Sequence, residues 1–78
     1  MNNKTQVKFR IFEDGDVIAL FINEVWDSKG NISSYQRIGQ HGAASPELVD
    51  DLKRATPKEY GPLLKELETI GYDDLEVL

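Results

Sequence analysis

His41 is the single histidine of the chain, and it lies between glycines in Gly39-Gln40-His41-Gly42. An imidazole titrates near neutrality and can give or take a proton, so a histidine on a flexible loop can serve as a general acid or base. Ser33, Ser34 and Tyr35 stand just upstream as candidate partners. Such chemistry needs a nucleophile within hydrogen-bond reach of the base and a third group that orients the base. Spacing along the chain does not supply that geometry, and a loop histidine bonded to a neighbouring backbone group is the stronger reading. The same glycines would let successive backbone N–H groups form a small anion-binding nest, beside the free N–H groups of a helix start at Ser45-Pro46. No lysine follows as in a phosphate-binding P-loop, so a plain strand-to-helix connection is favoured over a phosphate or carboxylate site.

Carboxylates gather at Glu13-Asp14-Asp16, Asp50-Asp51 and Asp73-Asp74-Glu76. Paired acids can hold a divalent cation or divide acid and base roles. The first group lacks the longer spacing of an EF-hand loop and fits a hairpin turn; Asp50 and Asp51 lie beside Lys53 and Arg54 on a solvated face; the third fits a turn and terminal strand. There is no cysteine, which excludes disulfides and thiolate metal sites. No hydrolase, kinase, dinucleotide or zinc motif occurs, and neither a metal nor a cofactor is expected.

The aromatic residues suggest contact rather than catalysis. Trp26 and Tyr35 flank the turn-forming segment Asp27-Ser28-Lys29-Gly30-Asn31, and such residues often anchor interfaces. The equally weighted structural reading folds Trp26 over the end of the core.

These residues must be positioned by a small fold. Thr5–Phe12 alternates, with Val7, Phe9 and Ile11 on one face and Lys8, Arg10 and Phe12 on the other. Asp14-Gly15 suits a two-residue hairpin turn, which would pair Phe9 with Leu20 and Ile11 with Ile18. That register places Val7, Phe9, Ile11, Ile18, Leu20 and Ile22 in the core. Val17–Ile22 is apolar at six consecutive positions, however, so Phe12, Val17, Ala19 and Phe21 are left on a second apolar face. Asn31–Ile38 reads as a weaker third strand at an edge or in a partly exposed position. A first helix begins at Ser45 with Pro46 at its first position, and Leu48, Val49, Leu52 and Ala55 follow at helical spacing. Thr56 and Glu59 have capping-box spacing for a second helix carrying Tyr60, Leu63, Leu64, Leu67 and Ile70, with Gly71 as its stop. Pro62 should kink that helix or delay its start. Tyr72–Leu78 reads as a closing strand. The expected fold is α+β, a small antiparallel sheet of order β-β-β-α-α-β with two C-terminal helices packed on it.

With 78 residues the chain has room for one core, so residues 1–78 are expected to form a single domain with residues 1–4 as a disordered tail. The N-terminal stretch lacks the apolar core and cleavage site of a signal peptide, and no apolar run approaches the ~18–20 residues needed to cross a bilayer. A soluble, cytoplasmic location without membrane contact is the expectation. Residues 1–38 are neutral overall, and residues 39–78 carry the whole net charge of −5. A nucleic-acid binder normally shows a basic stripe, so direct binding of DNA or RNA is disfavoured.

Three segments together, GDVIALF, SYQRIGQHG and EYGPLLKELETIGYDDLEV, resemble a family of short proteins of uncharacterised function from bacteria, phages and other mobile elements. The resemblance spans roughly Val7 to Val77. The proline typical just after the DVIALF-like segment is replaced here by Ile22-Asn23. The resemblance implies a mobile-element accessory protein and supplies no functional residues.

The expected function is therefore a non-enzymatic interaction module that meets a protein partner or a second copy of itself, with a small-molecule ligand disfavoured. Phe12, Val17, Phe21, Trp26, Tyr35 and His41 are the candidate contact residues. The rival expectation is a small ligand-binding or enzymatic domain centred on the GQHG segment.

Overall fold

In the computed structural model, which describes residues 4–36 and 40–78, the alternating segment forms strand β1 (Thr5–Ile11) and the apolar run opens strand β2 (Val17–Val25), paired antiparallel. Residues 1–3 of the expected tail lie outside the described residues, and Lys4 is exposed. The hairpin loop is one residue longer than Asp14-Gly15 suggests. Phe12 N donates to Asp16 O at 2.8 Å, so Glu13, Asp14 and Gly15 form a three-residue loop. Gly15 closes it at φ +94°, and Asp14 Oδ1 accepts from Asp16 N. A turn ended by a left-handed glycine is a common solution for that loop length.

The longer loop shifts every pair. Phe9 faces Ala19 and Ile11 faces Val17, which corrects the expected pairing with Leu20 and Ile18. Because side chains alternate with period two, a one-residue shift exchanges the faces of β2. Val17, Ala19 and Phe21 lie with Val7 and Phe9 on one face, whereas Ile18, Leu20 and Ile22 lie on the other with Phe12.

Strand β3 (Ile32–Gln36) follows the turn organised by Asp27, whose carboxylate accepts from Lys29 N, Asn31 N and Asn31 Nδ2. Of the expected third strand, Arg37 and Ile38 lie outside the described residues, as does Gly39. β3 is not an edge. It lies between β2 and strand β4 (Gln40–Ala44), and Ile32 to Tyr35 are all buried. Its polarity is tolerated in part because the Ser34 hydroxyl finds a partner inside the sheet, with Oγ donating to Gly42 O at 2.9 Å.

Beyond β4 the chain makes a single helical turn, α1 (Leu48–Asp51), then a two-residue strand, β5 (Lys53–Arg54). The first helix was expected to reach Ala55. Instead Leu52 is already extended at φ −97° and ψ 154°, and Ala55 N donates to Phe9 O on β1. The turn carries two acids, Asp50 and Asp51, and no basic residue of its own in its last turn. Pro57 also biases Thr56 toward extended backbone.

Helix α2 (Pro57–Thr69) has both expected ends. Thr56 Oγ1 accepts from Glu59 N while Glu59 Oε1 accepts from Thr56 N, completing the capping box. Gly71, at φ +127°, donates to Glu68 O, and Tyr72 N donates to Leu67 O, the paired bonds of a Schellman stop. Pro62 does not delay the start: the helix runs through it, and the preceding Gly61 has no Cβ to clash with the proline ring.

Strand β6 (Leu75–Val77) then pairs parallel with the first half of β1. The observed order is β-β-β-β-α-β-α-β, a mainly antiparallel α+β sheet with one substantial helix, in place of β-β-β-α-α-β. α2 covers the face of Val7, Phe9, Ala19, Phe21 and Tyr35 with Leu63 and Leu67. The α1 segment covers the face of Ile18, Leu20, Ile32 and Ala44 with Leu48, Val49 and Leu52. The double apolarity of β2 is thus met from within the chain. Among the described residues no helix is long and apolar enough to cross a membrane.

Candidate functional site

The GQHG segment is not a loop in its described part. Gln40, His41 and Gly42 belong to β4, and only Gly15, Gly30 and Gly71 have positive φ among the described residues. The described part therefore lacks the left-handed residue that a backbone nest requires.

The antiparallel ladder sets Ala19, Tyr35 and His41 in one row across β2, β3 and β4, on the face under α2. The small Ala19 side chain leaves room for Tyr35, whose ring meets the His41 ring edge-on at 4.7 Å. The Tyr35 hydroxyl donates to Glu66 Oε2 on α2. The Schellman turn brings Tyr72 back over the sheet, where it stacks on Phe21 at 5.2 Å and places its hydroxyl 3.0 Å from His41 Nε2.

The electrostatics favour neutral phenols. The bond to the Glu66 carboxylate raises the Tyr35 hydroxyl above its usual range, with burial and the charges of Glu66 and Tyr72 adding to it. Burial raises the Tyr72 hydroxyl, with Glu24 adding to it. Both groups keep their protons through the neutral range, so Tyr35 and Tyr72 bond and orient rather than attack. The cluster fastens the β3–β4 hairpin to α2.

An acid–base site would also need a recess for substrate. Clefts of about 400 Å³ beside Arg54 and Tyr60, about 540 Å³ beside Phe12 and Leu52, and about 80 Å³ beside Val17 and Pro62 all lie away from His41, which lines none of them. Among the described residues no three His, Asp or Glu side chains converge in a way that could hold a metal ion.

The six candidate contact residues do not form one patch. Phe21 and Tyr35 are buried, and Val17 is half-buried beside them under α2. Phe12 is half-buried on the opposite face. His41 is exposed at the β4 edge. Trp26, 48% exposed, does not fold over the core. It joins Val25, 79% exposed, at the tip of the β2–β3 hairpin. The register of β2 against β3 breaks between Phe21 and Val25, which turns this end of β2 outward. Val25, Ile32 and Ala44 form a row across the sheet, so the tip and the end of β4 lie together.

Sequence reasoning missed three residues that shape this arrangement. Glu66 carries no local signal of its bond to Tyr35. Tyr72 does have one, since the residue after a C-terminal glycine commonly returns to touch the helix. Arg10 reads as an exposed strand charge, yet it is buried, with Nε donating to Val49 O at 2.7 Å and Nη1 to Phe9 O at 3.0 Å. It ties α1 to β1. Burial lowers its pKa, the facing Arg54 lowers it further, and Asp50 opposes both.

None of the family models, curated proteins or solved structures compared with the chain matches it. The site must be interpreted from its own chemistry.

Proposed function

We propose that this chain is a non-enzymatic protein-interaction module that receives its partner along the outer edge of β4, with the Val25–Trp26 tip as an adjoining apolar contact. The contrast between sheet edges carries the reading. One edge is covered, because β5 and β6 both pair with β1; at the other end of the order stands β4, paired only with β3 among the described residues. An edge strand directs alternate backbone N–H and C=O groups outward, and an added strand can satisfy them. The resemblance to short mobile-element proteins supports an accessory role in a bacterial or phage system. The cysteine-free composition suits the cytoplasm.

A ligand-binding or enzymatic role at His41 has less support, since the neighbouring phenols are held neutral and the described clefts beside Arg54, Leu52 and Pro62 are not lined by it.

Position-specific photo-crosslinking in cells tests the reading. A photoreactive residue at exposed Ala43 or at Trp26 is expected to give adducts, and one at exposed Lys58 on α2 is not. Adducts from Lys58 with none from Ala43 would refute the proposal.

A further inference from the structure

Among the described residues, strand β4 is an unusually unguarded edge. Natural edges are blunted by lysine, proline, bulges or inward charges. Gln40-His41-Gly42-Ala43-Ala44 contains no proline, lysine, arginine or carboxylate. Its five pairs with β3 run without a register break, from Ile32 with Ala44 to Gln36 with Gln40, so the outer side offers a regular template.

Charge narrows the choice of occupant. The chain carries −5, so a basic partner would be drawn to its acidic surfaces rather than to this strand, which has no carboxylate. For a second copy the relation reverses: two acidic chains repel over most of their surfaces, and β4 is a seam where they meet without opposing charges. Self-pairing is also sterically simple. A two-fold contact presents the same patch from both sides. With the axis at Gly42, glycine meets glycine and His41 meets Ala43 of the second copy, so the larger side chain lies opposite a small one.

We infer that β4 pairs antiparallel with β4 of a second copy about a two-fold axis at Gly42, joining two sheets into one. The inference rests on the reading of β4 as the interaction surface and adds the identity of the partner. A seam of five residues is short, so the dimer is weak and concentration-dependent.

Sedimentation velocity across a wide concentration range, combined with cysteine cross-linking, tests it. The weight-average mass of the unaltered chain should rise toward twice that of the monomer. Ala43→Pro and the milder Ala43→Lys should each weaken association by roughly tenfold or more, as edge prolines and lysines do, with circular dichroism confirming that the variant is folded. The chain has no cysteine of its own, and a Cβ at Gly42 meets nothing within 4 Å, so Gly42→Cys fits the fold. Mild oxidation should link Gly42→Cys into a dimer much faster than Lys58→Cys. A dimer indifferent to both Ala43 changes, or one that links equally fast through Lys58→Cys, would overturn the inference. So would a chain that stays monomeric throughout. In that last case, photo-crosslinks still formed from position 43 would spare the surface and assign it to a different chain, whereas their absence would remove the surface as well.

Discussion

The two edges of the sheet solve the same problem in opposite ways. Along β1, exposed backbone groups are taken up piece by piece: Leu78 N donates to Val7 O, Ala55 N and Arg10 Nη1 both reach Phe9 O, and β5 pairs with Arg10 and Ile11. Two separate segments of the chain, 53–55 and 74–78, seal that side. Along β4 no described residue does the equivalent, and the strand has none of the charges or prolines that protect bare edges. Both sheet faces belong with the sealed edge, since α2 and the α1 segment cover them. A chain that invests so much in one edge and so little in the other has a surface available for pairing. On the proposed reading, function lies where burial is missing.

The comparison breaks if the sealed regions tolerate disruption or the open ones do not. The largest effect is expected at Phe21, which is fully buried and stacked on Tyr72. Phe21→Asp loses ~3–5 kcal/mol of packing and adds an unpaired buried charge, so the variant should be unfolded at 25 °C by circular dichroism. A folded Phe21→Asp monomer would mean that this face is not core. Next comes Arg10→Ala, which removes the side-chain donor to Val49 O and one of the two donors to Phe9 O, and should cost about 2–4 kcal/mol in urea denaturation. Tyr35→Phe removes the one bond to Glu66 and should lower the urea midpoint by less than Arg10→Ala does.

Tyr35 also gives a signed pH effect. Its hydroxyl is raised in the folded state above 10.0, the ordinary value. The folded state therefore holds the proton more tightly than the unfolded state. Its stabilising contribution is full below about pH 10 and is lost as pH rises through the folded pKa. Thermal melts between pH 8 and 11 should show that decline, and Tyr35→Phe should lessen it, leaving the part that raised Tyr72 contributes. The smallest effect is expected at the open end: Val25→Ser and Trp26→Ser should change stability by no more than about 0.5 kcal/mol, as exposed positions do, while reducing adduct yield from position 43.

Much of this architecture was legible wherever the determinants are local. The capping box at Thr56 and Glu59, the stop at Gly71 and the turn at Asp14-Gly15 are each fixed by a few adjacent residues. The face assignment of β2 was not legible, for a specific reason. A strand with Val17–Ile22 apolar throughout has no period-two pattern, so nothing in it resists a one-residue slip. Only the loop length decides, and Asp14-Gly15 fits loops of two residues or three. The short α1 was hidden differently. Leu48, Leu52 and Ala55 keep helical spacing, but the open groups of β1 compete for the same segment, and that competition spans more than forty residues of sequence. β4 was obscured by weak strand formers, since glycine and alanine pair here only because β3 lies alongside. For the site, the nearness of Tyr35 to His41 could be read from the sequence. The bonds of Glu66 to Tyr35 and of Tyr72 to His41 could not, since each spans 31 residues of sequence.

Residue-by-residue amide hydrogen exchange, measured at low and high protein concentration, tests the account most directly. At low concentration alternate amides of Gln40–Ala44 should exchange rapidly, while the Ala55 and Leu78 amides bonded to β1 stay protected. At high concentration the fast β4 amides should slow and the others remain unchanged. Protection of every β4 amide in the dilute monomer, or β4 exchange indifferent to concentration, would contradict the account.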